Sequence, residues 1–310
     1  MKNLNLITWA SILLLSAGCS KTTVIIDGQG GNNNQPGNTE GRTLVSFNAA
    51  IENRVTTRAM SLMQKGILNQ LFAFEDASSA SATVTPAAQG VYITSAPGVL
   101  TGYSGYKMYL SQGVYNFYGV SDNMSSLPIR FTSGESEPLF NGIDYLWWSS
   151  PDQDITSAQI TIPVVYTHAA SQLVFEISEG DGIDIDKLLF AHITPPASGA
   201  KMNLLTGEIP PATTYDTEID KMGINGFRAQ YIVLPLETSQ PMTLSIEVQL
   251  AGQTDTKTYS VNVPVPGGAL KAGTSYLFEV IVNATSVNFS QVSIKDWTEV
   301  DETGNPLYPK

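Results

Sequence analysis

The sequence predicts an all-β chain organised as two tandem antiparallel β-sandwich domains behind a leader and a flexible tether. Three observations carry that expectation. Apolar and polar residues alternate with period two in run after run. Clusters of Gly, Pro, Asn, Asp and Ser, as at Ser133-Gly134, Ser149-Ser150-Pro151-Asp152 and Pro264 to Gly268, separate the runs. Residues 43–310 are too many for one seven-stranded sandwich of roughly 100 residues.

The first element is the leader, residues 1–18. Lys2 is its sole charge, Leu4 to Leu15 is mostly apolar, and the run is shorter than the about 20 residues a bilayer span needs. Leu15-Ser16-Ala17-Gly18-Cys19 resembles the bacterial lipobox, which makes Cys19 a lipidated mature N-terminus tied to a membrane surface. Residues 19–42 follow as the tether. Its Gly- and Asn-rich stretch from Gly28 to Gly41 cannot bury enough apolar surface to offset the entropy of ordering.

Strand patterns begin at Thr43. Val45, Phe47, Ala49 and Ile51 project to one face, and Ser46, Asn48 and Glu52 to the other. Further along, Leu173, Phe175 and Ile177, then Leu244, Ile246, Val248 and Leu250, then Tyr259, Val261 and Val263, and finally Tyr276, Phe278, Val280 and Val282 repeat the alternation. The polar Ser-Ser-Pro-Asp-Gln-Asp stretch places a domain boundary near Gln153 to Ser157, giving domains 43–155 and 156–310.

Composition excludes several functions. Sixteen Lys plus Arg against 28 Asp plus Glu leave a net charge of -12, a field that repels nucleic acid. Two histidines and one cysteine cannot build a Cys/His zinc site, a disulfide framework or an iron–sulfur cluster, and no metal or cofactor is expected. His168 and His192 lack a nucleophile motif, so the chain reads as no enzyme. The carboxylates of Glu179 to Asp186 suggest calcium by their hard oxygens but lack EF-hand spacing, and a solvated turn is the favoured reading.

Four segments together resemble the fimbrillin (Mfa-like) family, the lipoprotein-derived subunits of type V pili. They are Gly113 to Val120 (GVYNFYGV), Asp144-Tyr145-Leu146-Trp147, the strand opening Tyr166-Thr167-His168 and continuing Leu173 to Ile177, and Leu270 to Val280 followed by Ile294-Lys295-Asp296-Trp297. The resemblance implies transthyretin-like sandwiches, residence in the outer membrane through lipid on Cys19, at the cell surface or in a pilus, and adhesion as output. The partners it implies are other pilus subunits, a maturation protease and a host or bacterial receptor. It also implies assembly by β-strand exchange. On that reading Val45, Phe47, Ala49 and Ile51 form an exchangeable strand closing an edge of the first sandwich, and a trypsin-like protease cuts at Arg58 or Arg54. The alternative is that these arginines are solvated surface charges and the strand is permanent.

A surface lipoprotein that binds glycans is the competing function. Its platform would be Tyr103, Tyr106, Tyr109, Tyr115, Phe117 and Tyr118, with Tyr145, Trp147 and Trp148, against core packing of the same rings. The Gly, Pro and acidic residues after Trp297 make a poor donor strand, and Val287 to Ile294 is the other candidate.

Overall fold

The computed structural model describes residues 41–53, 60–76, 84–156 and 159–297. Among them the N-terminal strands are β1 (Arg42–Glu52), β2 (Met60–Leu62), β3 (Leu68–Glu75), β4 (Ala88–Ala96), β5 (Val99–Gly102), β6 (Met108–Ser111) and β7 (Gly113–Ser121). A small hairpin, β8 (Phe131–Thr132) and β9 (Glu135–Ser136), precedes β10 (Leu146–Ile155) and β11 (Gln159–His168). The main sheet runs β11-β10-β7-β3-β4-β5-β1-β2 with β6 also on β1, and β11 pairs β1 as well as β10, so the ladder closes on itself.

β10 and β11 bond each other only at Leu146↔His168 and Trp147↔Thr167 and then part. β10 follows β7, whereas β11 follows β1. Two layers joined at corners result, with Phe47, Leu71, Phe117, Leu146, Trp148 and Tyr166 buried between them. Closure of this kind leaves few open edges to pair with stray strands.

The C-terminal part contains β12 (Ser171–Glu179), β13 (Ile185–Ile193), β14 (Asp220–Lys221), β15 (Gly223–Asn225), β16 (Arg228–Val233) and β17 (Leu236–Glu237). It continues with β18 (Met242–Leu250), β19 (Thr256–Val263), β20 (Ala269–Leu270), β21 (Ser275–Val282) and β22 (Val287–Lys295). Sheets β15-β16-β12-β21-β22 and β14-β13-β18-β19 enclose a core of Phe175, Tyr231, Leu244, Ile246, Tyr276 and Phe278. The alternating residues of β12, β18 and β21 supply this core because only one face of each sheet is turned inward.

Two expectations need correction. The sheets are mixed rather than antiparallel throughout, because β1–β11 and β12–β21 pair in parallel. Side-chain alternation carries no information on strand direction, which depends on long-range partners. The boundary expected at residues 155/156 falls between β10 and β11, inside the N-terminal sheet, and the change of sheet comes at Ala169-Ala170. The polar stretch at the expected boundary is the bulged, solvent-facing part of β10, where the register shifts between Ser150 and Gln153 and Asp152 has φ 53°.

A third core joins the two parts. β3 buries Leu71 and Ala73 on its inner face and Phe72 and Phe74 on the outer one; β7 does the same with Phe117 inside and Tyr118 and Val120 outside. Met202, Leu204, Ile209 and Leu234 of the C-terminal part cover that outer face. The strap is pinned by Trp147, whose Nε1–H donates to Leu204 O at 2.8 Å. Gly207, at φ +71°, lies so close to the Trp147 ring that a Cβ there would come within 2.3 Å of it.

Asp122, buried after β7, accepts the Ile129 N–H at 3.3 Å. Burial pushes its carboxyl up to about 6; the Ile129 N–H pulls it back and the charge of Glu137 pushes it further. The folded chain therefore holds a proton that the unfolded chain, with a carboxyl near 3.8, has released. Stability falls as pH rises between those two values and is flat above them. Asp122→Asn is expected to stabilise the chain by about 1–3 kcal/mol at pH 7 and hardly at all at pH 4, read as urea midpoints at the two pH values.

Candidate functional site

β1 is the element around which the candidate site is built. Val45, Phe47, Ala49 and Ile51 are each at most 2% exposed and face the inner core. The Phe47 ring meets Tyr92 edge-on at 5.2 Å and Phe117 at 6.0 Å. Covering these four side chains contributes on the order of 6–10 kcal/mol gross at roughly 1.5–3 kcal/mol for each large one.

One edge of β1 runs parallel to β11, in register from Leu44↔Gln159 to Ile51↔Tyr166. The other edge is shared by three short antiparallel strands. β6 takes Arg42 to Val45, β5 takes Phe47 and Asn48, and β2 takes Ala50 to Glu52. Ala49 N–H donates to Gly98 O at 2.8 Å and fills the gap between them.

The expectation that this segment closes an edge of the sandwich is thus corrected: β1 is an interior strand bonded on both sides. The alternation that marks its buried face is the same for an edge strand and an interior one, so the residues alone leave the position open. An interior place makes the consequence of losing β1 larger. Its departure would leave β11 and the β6-β5-β2 row as two unpaired ladders flanking an apolar floor that contains Tyr92 and Phe117.

Asn53 follows β1, and its Nδ2–H donates to Ser61 Oγ at 2.8 Å, joining the residues on either side of segment 54–59. Arg54 and Arg58, like Cys19, lie outside the described residues.

Three of the four segments that carry the family resemblance meet near the end of β1. Asp144 Oδ1 accepts the His168 Nδ1–H at 2.7 Å, and Asp144 Oδ2 accepts Asn123 Nδ2–H at 2.9 Å. The His168 ring stacks on Trp297 at 3.8 Å and 14°. Alternation and spacing gave no sign of their contact, because Asp144, His168 and Trp297 lie in the connection before β10, at the end of β11 and after β22.

The aromatic residues weighed as a sugar platform are mostly in the cores. Tyr115, Phe117, Tyr118, Tyr145 and Trp148 are buried, and Trp147 is held by the 203–208 turn; Tyr103 is the exposed one. Burial pushes the phenols of Tyr92, Tyr106 and Tyr145 well above the usual range, so they stay neutral. In the 179–186 loop, Glu179 Oε1 accepts the Ile185 N–H at 2.7 Å, which fastens the turn onto itself. Among the described residues no group of three or more His, Cys, Asp or Glu is arranged to hold a metal ion.

Comparison with known proteins agrees with this architecture. Two crystal structures of putative cell adhesion proteins superpose on the chain, one from Bacteroides uniformis and one from Bacteroides ovatus. The first has 19% identity and a TM-score of 0.60 over 83% of this chain and 100% of its own; the second has 14% identity and 0.61 over 84% and 99%. A curated Bacteroides uniformis protein, "Putative fimbrium subunit Fim1C", is 30% identical over 152 residues, 46% of this chain and 49% of its own length. This match thus spans about half of the curated relative. The family description "Fimbrillin-like" fits residues 55–297, a span that starts just past β1 and ends at the stacked Trp297, and on that match the chain belongs to the fimbrillin-like family.

Proposed function

We propose that the chain is a non-enzymatic structural subunit of a bacterial surface pilus, assembled by exchange of β1 for a strand of another subunit. This reading is supported by the fimbrillin-like match, which starts just past β1, and by Arg54 and Arg58, which follow β1 in sequence; the interior, doubly bonded place of β1 is the arrangement of a permanent first strand, so exchange requires cleavage to free it first. In this mechanism Cys19 carries lipid during export to the outer membrane, and a trypsin-like maturation protease cuts at Arg58 or Arg54. The freed β1 leaves, and a partner strand inserts beside β11, repairing both ladders at once. Adhesion to a host or bacterial surface is the output of the assembled fibre.

A donor exists in a second copy of the chain. Val287, Phe289, Val292 and Ile294 repeat the apolar spacing of Val45, Phe47, Ala49 and Ile51 with one residue inserted. The insertion coincides with the bulge at Ser290, between the pairs Glu279↔Gln291 and Val280↔Phe289.

Trypsin treatment of the purified precursor tests the reading. The expected result is a new N-terminus at Ala59 or Val55, by N-terminal sequencing, together with oligomer ladders in size-exclusion chromatography. A cleaved protein that stays monomeric and retains residues 42–52 would refute it.

A further inference from the structure

The parallel pairing of β1 with β11 brings their C-terminal ends to the same place, and Trp297 spans both. Its ring stacks on His168, the last residue of β11, and packs with Ala170 and Ile232. Its backbone N–H donates to Asn53 O, one residue beyond β1, at 3.1 Å. Asp144 holds the His168 ring for this stack through Nδ1. Trp297 itself is only 5% exposed although it follows a strand whose residues are half-buried or exposed throughout.

Val287, Phe289 and Val292 pack β22 against the C-terminal core, but β22 is weakly secured at its C-terminal end. It is the edge of its sheet, bonded to β21, bulged at Ser290, and leaves Ile294 48% exposed. Edge strands with few buried contacts sit at the low-stability end of a fold, where local opening is easiest. The buried Trp297 ring is an apolar attachment just past the C-terminal end of β22, and the backbone N–H of the same residue bonds Asn53, which follows β1.

We propose that Trp297 is a latch coupling β1 to β22: it docks fully only while β1 occupies its groove, so loss of β1 loosens β22, the strand that serves as donor to the next subunit. The biological use of the latch rests on the strand-exchange reading above; the coupling itself is a property of the single chain. When β1 leaves, Asn53 leaves with it, and Trp297 loses the backbone acceptor that ties its position to β1. A subunit would thereby present its donor strand only after it had opened its own acceptor groove. Coupling free energies are reciprocal, so weakening the Trp297 seat must also loosen the end of β1 by the same factor.

Hydrogen exchange on the uncleaved chain reads this reciprocity. Trp297→Ala is expected to speed exchange about tenfold both in residues 291–296 and in residues 49–53, with β13 and β18 unchanged, and Trp297→Phe, which can still stack, is expected to keep both slow. Faster exchange in β22 with β1 unaltered would overturn the latch. Should Trp297→Ala not fold, the trypsin-cleaved wild-type chain, isolated as monomer after loss of β1, gives the same reading, and protected residues 291–296 in that monomer would overturn it. Cleaved chains that polymerise, from a cleaved monomer in which those residues were still protected, sink the latch and spare strand exchange. Cleaved chains that stay monomeric while Trp297→Ala loosens both strands sink strand exchange and support the latch.

Discussion

Phe47→Ala is expected to lower the unfolding free energy by about 3–5 kcal/mol, measured by urea denaturation of the uncleaved chain. Phe47 is 1% exposed and wedged between Tyr92 and Phe117, and it lies between two ladders that fix the backbone on both sides. The surroundings have little freedom to collapse into the space, so the cost should approach that of a full cavity. The same substitution should raise the rate at which residues 42–52 are lost after trypsin treatment, because the strand's largest anchor is gone. A destabilisation below about 1 kcal/mol would show that the groove closes around β1 loosely.

Gly207→Ala is the second large effect. The new methyl group meets the Trp147 ring, whose face is fixed by the bond to Leu204 O, and alanine must also adopt φ near +71°. Left-handed strain and overpacking each cost on the order of 1–3 kcal/mol, so a loss of about 2–5 kcal/mol is expected. The loss should fall on the joint between the two parts, since Met202, Leu204 and Ile209 reach Phe72 and Tyr118 through this strap. Differential scanning calorimetry is expected to show a broadened or split transition, whereas a single sharp transition at the wild-type temperature would contradict it.

Much of the fold was legible because its strands bury one face. Leu173, Phe175 and Ile177, and Leu244, Ile246 and Val248, all enter one core as their alternation requires. β3 and β7 were less legible. Both of their faces are buried, so Leu71-Phe72-Ala73-Phe74 shows no alternation, and the covering strap comes from residues far along the chain. The candidate site was half readable. Four inward residues of β1 followed from spacing, whereas its interior position and its parallel partner depend on which distant strand lies beside it. The meeting of Asp144, His168 and Trp297 was invisible for the same reason, since each belongs to a different element and only the closed sheet brings them together.

The pairing of Leu44 with Gln159 also bears on how the chain acquires its shape. During synthesis the N-terminus emerges first, so the segment that becomes β1 must wait for more than a hundred further residues before its parallel neighbour β11 exists. Such non-local contacts form slowly, because chain closure must come before any gain from pairing. The vacancy that β1 fills is thus among the last to be completed on the way to the native state. In that interval a suitable strand from another molecule competes on equal chemical terms, and keeping subunits apart until they fold becomes a requirement of the architecture itself.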